Sequence, residues 1–270
     1  MSTSMLETAN TWDLYASHRA RYTELLLSSD AHGRLCLLGA GHCHDVDLEA
    51  LAAHYTAIHL VDLDRAAILA AVARQKPDVR ERLHVHAPFD LSGFETRWKQ
   101  WKRVPPSPEE IAAASSRVIR SAGTLPGPFD VVASSCVLTQ MSFAARDALG
   151  EKSPMLGPVR IALIRTHLAL LMGLTAPGRT ALLTTDLTSS TSFPLAEITS
   201  EQNLFDVMGD IVERAAYYHV ANPNLIEQVL ETEPVLRAMA GESELLPPWI
   251  WTGALDRSYF VYALRFQRRV

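Results

Sequence analysis

Two glycines and a carboxylate stand at the spacing a nucleotide cofactor requires. The apolar run Leu35-Cys36-Leu37-Leu38 breaks into Gly39-Ala40-Gly41, and a second apolar run, residues 57–61, ends in Asp62-Leu63-Asp64. Glycines let the backbone approach a ligand with no Cβ in the way. A carboxylate about 20 residues further on is placed to accept hydrogen bonds from ribose hydroxyls. This pattern points to a cofactor-using enzyme, and the rest of the chain must say which cofactor.

The elements that position these residues follow from periodicity and punctuation. Trp12, Tyr15, Tyr22 and Leu25-Leu26-Leu27 form one helical stripe over residues 11–28, with Arg19 and Arg21 between them. Residues 35–38 read as a strand. Asp45 or Asp47 caps a helix over 48–55, whose N-terminus points back at the glycine turn. A strand at 57–61 leads to a helix at 66–74, stopped by Pro77. A third strand at 83–86 precedes a loop or short helix (91–108) and a helix (109–122). A buried strand at 129–133 opens into Ser134-Ser135-Cys136. The helix at 159–174 ends before Pro177-Gly178, and a fifth strand at 179–184 runs into Thr185-Asp186. Beyond it lie a polar loop (186–194), helical stretches at about 201–220 and 223–238, and two closing strands, 249–251 and 258–266, with a turn near 253–256. Alternation of helices and strands predicts one α/β unit with a mostly parallel sheet, and the closing pair supplies an antiparallel strand.

Bulk properties narrow the functional classes. The chain has 270 residues, 48% hydrophobic and 20% charged, with a formal net charge of -5. That charge gives no overall pull on nucleic acid or on an anionic membrane. The basic-aromatic cluster Trp98-Lys99-Gln100-Trp101-Lys102-Arg103 reads as a solvated surface held by two anchoring tryptophans. The first ten residues carry no basic region or apolar stretch of a secretory signal, and residues 161–174, interrupted by Arg165 and His167, are too short to span a bilayer. Cys36, Cys43 and Cys136, an odd number, suit reduced thiols; a cytoplasmic protein is expected.

The order of motifs resembles the class I S-adenosylmethionine-dependent methyltransferases, a Rossmann-like superfamily. Leu38-Gly39-Ala40-Gly41 resembles its first motif and Val61-Asp62-Leu63-Asp64 its ribose-binding acidic motif. Phe89-Asp90-Leu91 resembles the loop that contacts adenine. The segment from Pro128 to Ser135 resembles the motif after strand four, and Leu174 to Arg179 the turn into strand five. The resemblance spans roughly residues 33–266 and implies a three-layer sandwich with a seven-stranded sheet. Leu37 stands where the family usually has an acidic residue, and Cys43 where it often has a third glycine.

The resemblance implies S-adenosylmethionine as cofactor, with Gly39, Ala40, Gly41, Asp62, Leu63, Asp64, Asp90, Leu91, Ser134 and Ser135 around it. Asp64 serves equally as a helix cap, and Asp90 as a turn aspartate bonding its own backbone. Tyr15 and Arg19 lie four apart on one helical face; the resemblance implies that this helix closes over the cofactor with Arg19 meeting the methionine carboxylate, and the other reading is ordinary helix packing with the arginine toward solvent. Residues 1–32 are then an N-terminal helical cover and 33–270 the methyltransferase domain, with 187–238 as a helical cover on the substrate side. Methyl transfer is an in-line displacement that depends chiefly on alignment. If a base is needed, His167, Asp186 and His219 are the candidates. The Asn/Asp-Pro-Pro-aromatic signature of base and glutamine N-methyltransferases is absent after strand four. With the acidic charge, this favours a small-molecule acceptor; a homodimer is possible.

Three other readings bear on the same residues. A nicotinamide-dependent oxidoreductase shares the carboxylate after strand two. However, His44 occupies its third-glycine position, and no tyrosine–lysine pair is recognisable. A catalytically degenerate binding protein of the same fold would suit Leu37 and Cys43. A metal site is not expected, because His42, Cys43 and His44 alternate on a tight turn, and His84 and His86 have no further ligand cluster nearby.

Overall fold

A central β-strand, Arg34–Leu38 (β1), has parallel neighbours on both sides, Ala57–Val61 (β2) and Phe129–Ser135 (β4). The protein's structure, a computed structural model, describes residues 12–253 and 257–270. Leu83–His86 (β3) extends the sheet beyond β2, and Thr175–Ser189 (β5) extends it beyond β4. Ser258–Arg268 (β7) enters antiparallel between β5 and Ala240–Thr252 (β6), so the strand order is β3-β2-β1-β4-β5-β7-β6. The central strands are apolar on both faces, as a sheet covered by helices requires.

Eleven described helices cover it: Ala16–Leu27 (α1), Leu48–His54 (α2), Arg65–Ala73 (α3), Pro77–Arg80 (α4), Trp98–Trp101 (α5), Pro108–Ala122 (α6), Val137–Leu149 (α7), Leu156–Leu174 (α8), Leu204–Glu213 (α9), Pro223–Thr232 (α10) and Pro234–Met239 (α11). On one side, Tyr22, Leu51 and Ile68 pack with Trp249 and Trp251 of β6. On the other, Leu163 and Leu171 of α8 join Val118, Met208, Ile226 and Leu236. Each fully buried leucine contributes about 1.5–3 kcal/mol. Among the described residues, α8 is the one helix long and apolar enough to cross a membrane, but 61% of its apolar window is buried inside the protein.

Several elements differ from the sequence expectation. α7 was not expected: its N-cap, Cys136, has φ 53° and makes no side-chain cap, so the usual start signal is missing. Asp186 does not begin a loop. β5 continues to Ser189, because its threonines and Leu187 suit a strand as well as a turn. Pro77 ends α3 yet opens α4, where a first-turn proline is tolerated. The stretch 201–220 holds only α9 before breaking into a turn. β6 begins at Ala240 rather than Trp249. In the expected turn near 253–256, positions 254–256 lie outside the described residues, as do the first eleven. Trp98 and Trp101 pack on Phe94 at 5.4 and 4.9 Å, anchoring the basic cluster.

The buried faces of the helices within 187–238 join α8 in one core, and the turn around Tyr218 is the part hydrogen-bonded to the end of β5.

A candidate cofactor and acceptor crevice

β1 ends in a turn that only unusual backbone can make. Gly39 and Gly41 have φ of 78° and 47°, and Cys43 has 52°. A Cβ on Gly39 would lie 1.9 Å from Val137 Cγ2, whereas one on Gly41 would meet nothing closer than Asp62 Oδ2 at 3.9 Å. Gly39 is therefore required by packing against α7, and the space beside Gly41 is left open. Cys43, where a third glycine often stands in the resembling family, keeps the left-handed conformation at some steric cost. The His44 ring turns toward the N-terminal segment, 5.6 Å from Trp12 and 5.7 Å from Tyr15.

Asp62 ties this turn to β2. Its Oδ2 accepts the Gly41 N–H at 2.9 Å and its Oδ1 accepts the Asp64 N–H at 2.8 Å. Each oxygen keeps a further lone pair for a hydroxyl donor. Desolvation raises the Asp62 pKa, and the two backbone N–H groups counter it. Asp64 caps α3 through the Ala67 N–H at 3.0 Å, and Leu63 is exposed beside it. Asp90 is committed to its own loop: its carboxylate accepts the N–H groups of Ser92, Gly93 and Glu95 and the Ser92 hydroxyl. Leu91 is buried in the core below.

Ser134 and Ser135 face opposite sides of β4. The Ser134 hydroxyl lies 2.8 Å from His167 Nε2 inside the layer of α8, where neither residue is exposed. Burial pushes His167 down to about 4, so it is neutral at physiological pH. Ser135 instead lines a small cavity with Asp45 and Gly39. Asp47, not Asp45, caps α2, which leaves Asp45 free beside the glycine turn. Desolvation raises Asp45 to about 6; the nearby Ser135 side chain and the charge of Arg19 oppose the rise, and the charge of Asp62 adds to it.

Asp186, on β5, accepts a hydrogen bond from Cys136 Sγ at 3.1 Å and lies 3.3 Å from Thr139 Oγ1, whose single proton is shared with the Cys136 carbonyl at 2.9 Å. Burial raises it to about 6 against those two donors. The Cys136 thiol is held protonated by burial first and then by the charge of Asp186. Tyr15, Tyr218 and Tyr259 are all raised by burial, and the charge of Asp186 adds to each. Tyr259 of β7 pairs with Ser189, three positions beyond Asp186 on β5, Tyr218 donates its hydroxyl to the same serine, and Tyr15 reaches Tyr259 through the ring of Trp251, an arrangement that residue spacing alone does not display.

Arg19 is spoken for. Its Nη1 donates to the carbonyls of Trp12 and His44, and the guanidinium lies 3.6 Å from the Trp12 ring centroid. It locks the N-terminal segment onto the glycine turn. His219 is exposed, its ring 6.2 Å from Tyr217, and it makes no side-chain hydrogen bond among the described residues. The neighbouring Tyr218 is the residue that reaches β5, donating its hydroxyl to Ser189 Oγ at 2.7 Å.

The residues present fit an S-adenosylmethionine-type ligand. Space is open beside Gly41, Asp62 has free lone pairs, and the buried Tyr22 hydroxyl has no partner, although it lines a small cavity with Gly39, Asp45 and Ser135. Among the described residues no group of three or more His, Cys, Asp or Glu side chains is arranged to hold a metal ion.

No family model matches the sequence, and no curated protein matches it. Solved structures do. The methyltransferase domain of a bacterial Hen1 (CtHen1-C) aligns over 95% of this chain and 100% of its own, with 12% identity and a TM-score of 0.50. A methyltransferase from Methanosarcina mazei aligns over 91% and 97%, at 10% identity and a TM-score of 0.48. The N-methyltransferase NodS from Bradyrhizobium japonicum aligns over 93% and 96%, at 16% identity and a TM-score of 0.44. With its seven-stranded order and its antiparallel β7, this chain has the Rossmann-like fold of the class I S-adenosylmethionine-dependent methyltransferases.

Proposed function

We propose that the protein transfers the methyl group of S-adenosylmethionine to a small-molecule acceptor. The observation that carries this reading is the Asp62 carboxylate, bonded to both the glycine turn and the start of the next helix, with its remaining lone pairs available to a ribose diol. When bound, the cofactor supplies an electrophilic methyl group on a sulfonium. The protein's part is to bind, orient and exclude water.

In this reading Gly39, Ala40 and Gly41 cradle the ligand, Asp62 holds the ribose, and Leu63, exposed at the edge, packs on the base. Ser135 and Asp45 lie toward the methionine end, where Leu37 offers no carboxylate. Asp45 takes over that role from the far side of the turn. Asp64 and Asp90 act through the loops they brace, and Ser134 and His167 brace β4 from beneath. Residues 12–27 and the turn at Tyr217 and Tyr218 close the crevice over the acceptor. The net charge of -5 supports a small acceptor over nucleic acid.

A structure of the protein with S-adenosylhomocysteine tests the reading. The ribose hydroxyls are expected within hydrogen-bond distance of Asp62 and the amino group near Asp45. A ligand bound elsewhere, with Asp62 untouched, overturns it.

A further inference from the structure

On the reading above that this crevice holds a methyl acceptor, we propose that the acceptor is an amine that binds as its ammonium ion at Asp186, close to Tyr15, Tyr218 and Tyr259, and reacts once its proton has passed to the Asp186 carboxylate, so that the freed nitrogen lone pair takes the methyl group as the carbon–sulfur bond breaks and its electron pair returns to sulfur.

Uncompensated charge is the first ground. Among the described residues, Asp45, Asp62 and Asp186 have no basic side chain within 4.0 Å; the charge of Arg19 reaches Asp45, and Asp62 and Asp186 have no cation acting on them. A desolvated carboxylate is costly unless it is paired. Asp186 has only two neutral donors, the Cys136 thiol and the Thr139 hydroxyl, so its negative charge is solvated but not cancelled. Nearby cations are engaged elsewhere or sit at the rim. Arg19 bonds two carbonyls, and Arg146 pairs with Asp147 and lies over Phe143. Arg257 is exposed beside Tyr259 and Tyr218.

The aromatic surroundings are the second, independent ground. Tyr15, Trp251 and Tyr259 form a continuous wall, with ring centroids 4.7 and 5.2 Å apart, and Tyr218 packs edge-on against Phe143 at 5.0 Å. Ring faces attract cations, and a carboxylate with several aromatic faces is the arrangement that recognises substituted ammonium groups. An anionic acceptor would meet three carboxylates. A neutral alcohol would leave Asp186 unpaired.

Choline and 3,3-dimethylbutan-1-ol have the same shape, with nitrogen replaced by carbon, and neither can be methylated at that centre. Calorimetric titration of each into the protein saturated with S-adenosylhomocysteine, at pH 7.5, is expected to show choline binding at least tenfold more tightly. Asp186→Asn is expected to bring the two within about twofold while S-adenosylhomocysteine still binds. Tyr259→Phe is expected to keep the preference and Tyr259→Leu to reduce it. Equal binding of the two probes, no binding of choline, or a preference that survives Asp186→Asn overturns the proposal. If Asp186→Asn fails to fold, the comparison of probes on the unaltered protein decides. Normal S-adenosylhomocysteine binding without cation preference defeats this proposal alone. Cation preference in a protein that binds no S-adenosylhomocysteine defeats the methyl-transfer reading instead.

Discussion

Asp62 Oδ2 and the amide of Gly41 are joined by a 2.9 Å hydrogen bond that closes the end of β2 onto the turn after β1. The carboxylate is therefore fixed in place before any ligand arrives, by the same turn that would cradle the ligand. Pre-organisation of this kind lowers the ordering cost of binding.

Asp62→Ala removes a charged hydrogen-bond acceptor, a contribution of about 1.5–3 kcal/mol. S-adenosylhomocysteine affinity is expected to fall roughly tenfold to hundredfold. Calorimetry beside a far-ultraviolet spectrum checks this. A folded variant with unchanged affinity removes Asp62 from the site.

Asp186→Asn is expected to stabilise the protein at neutral pH while weakening cation binding. Burial raises the folded-state pKa of Asp186 to about 6, above its ordinary value. The folded state therefore takes up the proton more readily, and the destabilising charge develops as pH rises through about 6. Allowing for partial exposure, the gain is on the order of 1–2 kcal/mol at pH 7 and vanishes near pH 4. Urea denaturation at both pH values reads it. An asparagine variant less stable at pH 7 than at pH 4, relative to the parent, contradicts the assignment.

Cys136 tests backbone strain at the end of β4. Its φ of 53° is a left-handed conformation that glycine adopts freely. Cys136→Gly and Cys136→Ala lose the same thiol, so their difference isolates the backbone. The glycine variant is expected to be the more stable by about 1 kcal/mol. Equal denaturation midpoints would show that the turn relaxes around alanine.

Acid stability should be governed by histidines. Burial pushes His18, His44, His59 and His167 down to about 4. Below about pH 6.5 the unfolded chain binds protons that these four refuse, so stability falls as pH drops toward 4. Asp45 and Asp186, raised to about 6, offset part of this by binding protons in the folded state. With four groups against two, the steepest loss is about 2.7 kcal/mol per pH unit. Denaturation midpoints that rise between pH 6.5 and 4.5 would contradict this balance.

The sheet was legible because β1, β2, β3 and β4 are short apolar runs bounded by glycine, proline or aspartate, and because their helices alternate with them. α7 was not, since Cys136 starts it without a capping side chain. The extent of β5 was hidden by Thr184, Thr185, Thr188 and Ser189, which fit either a loop or a strand. Gly39, Gly41 and Asp62 could be singled out because strand–turn–helix spacing brings them together locally. Asp45 could not, because whether it or Asp47 caps α2 depends on backbone geometry. The meeting of Tyr15, Tyr218 and Tyr259 near Asp186 depends on three segments far apart in sequence and brought together only by the sheet order.

The central claim is that this crevice takes a sulfur-containing nucleoside rather than a dinucleotide, and direct titration of the protein with S-adenosylmethionine, S-adenosylhomocysteine and NAD tests it. The expected result is saturable binding of both sulfur ligands, with NAD at least tenfold weaker, and loss of that binding in Asp62→Ala. Micromolar binding of NAD with no detectable binding of either sulfur ligand would contradict it.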